Sequence, residues 1–168
     1  MSAATSERPF AIRRATVDDA ATILGFIRAL AAYEREPDAV ETTEDVLRAQ
    51  LAMQPPPFEC LIAESASAGP LGFALFCHNY STWRGSRGVW LEDLFVPPEN
   101  RGRSVGKALL AAVAAVAVER GCKRMEWAVL DWNQLAIDFY RSLGAAGLDE
   151  WTIFRIADDK LAALSRME

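Results

Sequence analysis

Two groups of side chains in this chain have the types and spacing to do chemistry. The first is Arg101-Gly102-Arg103-Ser104-Val105-Gly106-Lys107, set between a strand-like run and a long apolar helical run from Lys107 to Arg120. The first turn of a helix carries N–H groups without intrahelical partners and a partial positive end. Small residues at that point let an anion approach the backbone. Arg101, Arg103 and Lys107 add cationic side chains around it, so the pattern points to a phosphate-bearing cofactor. An arginine-rich surface turn is the plainer alternative. A Walker loop is excluded, because three residues rather than four separate Gly102 from Gly106 and Ala108 follows Lys107. No G-x-G-x-x-G occurs, which removes the dinucleotide fingerprint.

The second group is Glu92-Asp93, inside the otherwise apolar strand-like run Gly88 to Val96. Burying an unpaired carboxylate is costly, so acids in such a strand need either solvent or a task. Neighbours on a regular strand face opposite ways. Both acids can serve one site only if a bulge or splay breaks the alternation. His78 is the sole histidine, which excludes multi-histidine metal centres and leaves one residue as a triad base. Its strand context predicts packing or surface. Cys60, Cys77 and Cys122 form no complete disulfide set and have no metal-ligand spacing. In apolar surroundings they read as small hydrophobes, and no metal is expected.

A length of 168 residues, half of them apolar, suits one globular domain. The expected layout is a polar, disordered tail over 1–8 and a single domain over 9–168. The net charge of -5 argues against nucleic acid as a partner and suits a cationic substrate. Met1 to Arg8 has no apolar h-region. The longest apolar run, Ala108 to Val118, is short of the roughly 20 residues that cross a bilayer. The expected setting is cytoplasmic, without membrane contact.

Elements must hold these groups in place. Phe10 to Arg14 reads as a strand, and Thr16 opens a capping-box-like start to a helix carrying Ile23, Leu24, Ile27 and Leu30. That helix should stop near Tyr33 to Pro37, because proline disfavours helical geometry before it. Thr42 or Thr43 caps a second helix with Val46, Leu47 and Leu51. Phe58 to Glu64 and Leu71 to Tyr80 form a hairpin around a turn at Ser65 to Pro70. After the central strand and helix come a strand at Arg124 to Leu130 and a helix from Gln134 to Leu143, capped by Asn133 or Asp131 and stopped at Gly144. A last strand, Trp151 to Ile156, and a short helix, Asp158 to Arg166, complete the order. Early hairpins and a later crossover predict an α+β fold on one partly parallel sheet.

The combination of strand, R-G-x-x-x-G-K loop, apolar helix, strand, Asn133, Phe139-Tyr140 and Leu143-Gly144 resembles the GNAT superfamily of acetyl-CoA-dependent N-acetyltransferases. The resemblance runs from about Phe10 onward. Ala32-Tyr33-Glu34, Tyr80-Ser81-Thr82-Trp83-Arg84-Gly85, Leu91 to Pro97 and Val129 to Gln134 are similar to the diamine acetyltransferase branch, the thialysine type more than the spermidine/spermine type. It implies a twisted mixed sheet whose central strand splays from its neighbour, flanked by helices. Acetyl-CoA is the implied cofactor. Its pyrophosphate would lie on the backbone of 101–106, and its pantetheine arm along the main chain of Leu94, Phe95 and Val96. Asn133 is implied as a pantetheine contact, with helix capping as its other reading. The resemblance also implies a homodimer, with the C-terminal segment near the interface.

Ser104 departs from that family's loop, which has glycine there. A positive φ at this position would cost a serine about 1–2 kcal/mol, whereas a merely close amide would tolerate it. For the reaction, an alkyl amine near pKa 10.4 must lose a proton before it attacks a thioester, and the leaving thiolate regains one. The resemblance implies Tyr140 as the acid and Glu92 as the base, acting through water. Tyr33, Glu34, Glu92, Asp93, Trp83 and Trp151 would line the amine site. Ser81 replaces an acid of the spermidine/spermine type, which favours a shorter acceptor, thialysine or a lysine-like compound or short diamine. A non-catalytic acyl-CoA sensor and an acetyltransferase for protein lysines or N-termini stand as alternatives.

Overall fold

The computed structural model describes residues 9–167, so the expected tail over 1–8 lies outside the described residues. Chain contacts divide them after Ala128 into two compact units. The first contains β1 (Ala11–Arg14), α1 (Ala20–Tyr33), α2 (Glu44–Leu51), β2 (Glu59–Ser65), β3 (Gly69–Ser81), β4 (Ser86–Phe95), α3 (Val105–Glu119) and β5 (Met125–Glu126). The second contains α4 (Gln134–Ser142) and α5 (Asp158–Leu164).

The sheet runs in the order β1-β2-β3-β4-β5. Its first three pairings are antiparallel and the last, β4 with β5, is parallel. β2 is buried along nearly its whole length, as a strand covered on both faces must be. Alternate residues sort into two layers. Cys60, Ile62, Phe73, Leu75 and Phe95 join Ile23, Leu24, Phe26 and Leu47 of α1 and α2. Phe26 stacks on Phe73 with ring centroids 5.3 Å apart. The intervening residues, among them Leu61, Ala63, Ala74 and Phe76, are buried on the other face, and α3 packs on β2, β3 and β4.

The junction of β1 and α1 is fixed by charge. Thr16 and Asp19 form the capping box. Arg13 donates to both oxygens of Asp19 at 2.8 and 2.7 Å, and through Nε to Glu64 at 2.6 Å. The Arg13 hydrogen bonds hold the Asp19 carboxyl down at about 2. At its other end α1 stops at Tyr33, and Arg35 takes φ +68° two residues before Pro37.

Two interruptions shape β4. Pairing with β5 covers Val89↔Met125 and Trp90↔Glu126, so among the described residues the strand beyond Trp90 is bonded on the β3 side alone. This is the expected splay. On the β3 side the register shifts between Leu75↔Asp93 and Phe76↔Leu91, which leaves Glu92 as an extra residue, a β-bulge. Gly72 is small for a local reason: a Cβ there would come within 2.7 Å of the Phe95 carbonyl oxygen.

The α+β fold holds, with two corrections to the predicted strands. The run Arg124 to Leu130 contributes only Met125–Glu126. The run Trp151 to Ile156 forms no strand and has no regular secondary structure. Its composition favours a strand, yet a strand needs an edge to bond to, and among the described residues its own unit has none. Trp151, Ile153 and Phe154 are accordingly 68%, 70% and 90% exposed.

Candidate active site

The loop after β4 is tied down before it reaches α3. Asn100 Nδ2 donates to the Leu71 carbonyl at 3.3 Å, and Arg101 Nε to the Val96 carbonyl at 2.9 Å. The Arg101 guanidinium also lies 4.7 Å from the centroid of the Tyr33 ring, a cation–π distance. Gly102 and Ser104 both adopt positive φ, +75° and +62°. Of the two readings left open at Ser104, the structure selects the left-handed one, with its cost of about 1–2 kcal/mol for a residue bearing a Cβ. Its side chain makes no capping bond to the helix. The first helical hydrogen bond runs from Ala108 N to Ser104 O at 3.0 Å, so the amides of Val105, Gly106 and Lys107 precede it. Val105 is buried and anchors the turn, while Arg103 and Lys107 are exposed beside it. This donor set suits an anionic group such as a phosphate.

The bulge decides which way the two acids of β4 face. Asp93 lies opposite Leu75, which belongs to the α1-side core. Leu91 lies opposite Phe76, on the α3 side. One extra residue between them breaks the alternation, and Glu92 joins Asp93 on the α1 side. Trp90 lies opposite Cys77 on that side too. Its Nε1–H donates to Glu92 Oε2 at 2.7 Å, and the Glu92 charge helps raise the Cys77 thiol, though burial does most of that.

A carboxylate from α1 completes the group. Burial, then the charges of Glu92 and Glu34, push Asp93 up to about 6. Burial likewise raises the Glu34 carboxyl above its ordinary range. Glu34 caps the carboxyl end of α1, where the helix dipole disfavours an anion, so stability alone does not explain an acid there. The half-buried Asp93 thus feels the charges of the half-buried Glu34 and the exposed Glu92, a setting that favours a cation.

The remaining expected residues are placed as follows. Leu94 is half-buried and Phe95 buried in the core, while the edge of β4 that faced β5 is left without a strand partner beyond Trp90. Tyr33 packs on that core, its ring 6.3 Å from Phe95. Trp83 sits at the tip of the β3–β4 hairpin, and Ser86 is six residues, about 20 Å of strand, from Glu92. The structure does not bring Trp83 together with the three acids. Ser81 Oγ accepts from Arg84 N in the same turn at 3.2 Å. In the second unit, Asn133 Oδ1 caps α4 by accepting from Ala136 N at 3.3 Å. Tyr140 is half-buried there, its ring 5.3 Å from that of Phe139, and Trp151 lies on the exposed irregular run. Among the described residues no group of three or more His, Cys, Asp or Glu could hold a metal, and no helix is long and apolar enough to cross a membrane.

Sequence reasoning passed over Trp90 and Gly72. The only signals available were an indole two residues before an acid and a glycine inside a strand pattern.

Residues 24–145 match the acetyltransferase (GNAT) family. A thialysine N-epsilon-acetyltransferase of Bos taurus is 42% identical over 164 residues, covering 92% of this chain and 96% of that protein. Among solved structures, an integron cassette protein from the mobile metagenome of V. cholerae superposes with a TM-score of 0.78 at 24% identity, over 95% of this chain and 99% of its own. An aminoglycoside N-acetyltransferase in complex with CoA gives 0.69 at 23% identity, over 88% and 94%.

Proposed function

The chain belongs to the GNAT family of acetyltransferases, and from that premise we propose that it acetylates the primary amine of a small cationic acceptor, thialysine, a lysine-like compound or a short diamine. It is an N-acetyltransferase, and acetyltransferases of this family use acetyl-CoA. The observation that carries the choice of acceptor is the bulge at Glu92, which turns Glu92 and Asp93 to one face together with the charge of Glu34.

The cofactor supplies an acetyl thioester. The amides of Val105, Gly106 and Lys107, with Arg103 and Lys107 side chains, hold its phosphates, and the open edge of β4 near Leu94 to Val96 takes its amide-bearing arm. Arg101 keeps the loop closed against Val96 and Tyr33. Asp93 and Glu34 attract the ammonium group, and Glu92 takes the proton that the amine must lose, through water. The free amine then attacks the thioester carbonyl directly within a ternary complex, the C–S bond breaks as Tyr140 gives its proton to the departing sulfur, and the second proton lost by the nitrogen restores the Tyr140 phenol. A phenol near pKa 10 is a competent donor to a thiolate whose acid lies near 8.5. The match over 24–145 runs across the division after Ala128, which supports reading both units as one acetyltransferase domain.

The proposal extends to a homodimer in a cytoplasmic setting. An exposed apolar row, Trp151, Ile153, Phe154 and Ile156, supports the first, and three free thiols fit the second.

The reading of Tyr140 is tested by acetyl-CoA-dependent thiol release. Tyr140→Phe should lower kcat by about 10²-fold or more while leaving the KM for acetyl-CoA nearly unchanged. An unchanged kcat would remove Tyr140 from the chemistry.

A further inference from the structure

Within β4, Glu92 holds an unusual position. Val89 and Trp90 have cross-strand partners on both sides, and Leu91, Asp93, Leu94 and Phe95 have one on β3. Glu92 has none in either ladder, because β3 skips it at the bulge and β5 has already ended. The residue assigned the proton transfer is therefore the one least held by the sheet. Its side chain is exposed and has three rotatable bonds, which leaves considerable rotamer freedom for a group that must present one oxygen to the water that relays the amine's proton.

Trp90 supplies what the ladder does not. It is the last residue of β4 gripped from both sides, by Cys77 and Glu126, and it is half-buried. Its indole has only two side-chain torsions and a single N–H, which can donate but never accept. That N–H reaches Glu92 Oε2 at 2.7 Å, within the short range of charge-assisted bonds. With Oε2 engaged, Oε1 is the oxygen left to receive the proton.

We infer that Trp90 is a positioning residue, whose indole N–H at the apex of the β4–β5 splay orients the Glu92 carboxylate for proton transfer. This rests on the reading of Glu92 as the base. Phenylalanine at 90 keeps a flat apolar ring and loses the donor.

The test is a four-member cycle of the native enzyme, Trp90→Phe, Glu92→Gln and the double variant, read as kcat and KM for both substrates. Glu92→Gln should lower kcat by about 10²-fold or more. Trp90→Phe should lower kcat by about 10-fold, leave the KM for acetyl-CoA within about twofold, and add no further loss in the Glu92→Gln background. If Trp90→Phe fails to fold by thermal melting, Trp90→His, which retains a ring N–H donor, takes its place and should keep most of kcat. An unchanged kcat in Trp90→Phe, beside a loss in Glu92→Gln, overturns the role of Trp90 and leaves the base in place. Equal losses from Trp90→Phe in both backgrounds also overturn it. No loss in Glu92→Gln removes the base, and this inference with it.

Discussion

Asp93 is held where burial and two neighbouring carboxylates oppose its charge. Its carboxyl stands at about 6 in the folded protein, against an ordinary value of 3.8. The folded state therefore binds this proton more tightly than the unfolded chain. Stability from this group rises as pH falls from about 6 to about 4, and above 6 the full cost of the buried charge is present. Asp93→Asn should stabilise the fold at pH 8 by on the order of 1–2 kcal/mol, with the gain vanishing below about pH 4, as read from urea unfolding. The same change should raise the KM for a cationic amine by about 10-fold. In the native enzyme that KM should fall as pH rises from 5.5 to 7.5, because the amine stays protonated while Asp93 gains its charge. A stabilised variant that binds the amine as before would break the link between this charge and substrate binding.

At the scale of elements, local signals and the β2–β3 hairpin were readable, and strand register was not. The capping box of Thr16 and Asp19, the stop at Tyr33, the Asn133 cap and the Gly144 terminus all follow from residues within one turn of each other. The loop before α3 was legible for the same reason. The bulge was not, because it depends on how Phe76 registers against Leu91, a relation between two strands that neither strand's own pattern contains. Sequence could state only that a bulge was required if Glu92 and Asp93 were to share a face. The run Trp151 to Ile156 failed the other way, a strand pattern without an edge to complete it. Ser104 shows the element-scale cost of a departure from glycine. Ser104→Gly removes about 1–2 kcal/mol of left-handed strain and gives back about 0.4–1 through unfolded-chain entropy. A net gain of about 0.5–1 kcal/mol should raise Tm by about 1–4 °C, with acetyl-CoA affinity at least preserved by calorimetry. A lower Tm would mean that the serine hydroxyl contributes more than its backbone strain costs.

At the scale of the molecule, the exposed row on the C-terminal run bears on assembly. Phe154→Glu replaces a side chain that is 90% exposed, so it should leave the melting of the fold unchanged within about 0.5 kcal/mol. In light scattering the native protein should show twice the 18.5 kDa chain mass and the variant should shift towards the monomer. A native monomer would remove the dimer. The acid patch bears instead on what the enzyme accepts. Glu92 and Asp93 on the α1 side of β4 and Glu34 at the end of α1 make the anionic group, and β4 leads on to a helix N-terminus whose amides and cations suit phosphate. That pairing of an anionic site with a phosphate site is the central claim, and an acceptor panel tests it most directly. Thiol release from acetyl-CoA would be followed with thialysine, lysine, short diamines, spermidine and a lysine-containing peptide. The account predicts the highest kcat/KM with a small cationic amine, above spermidine and the peptide. Preference for the peptide, or binding of acetyl-CoA without turnover on any amine, would contradict it.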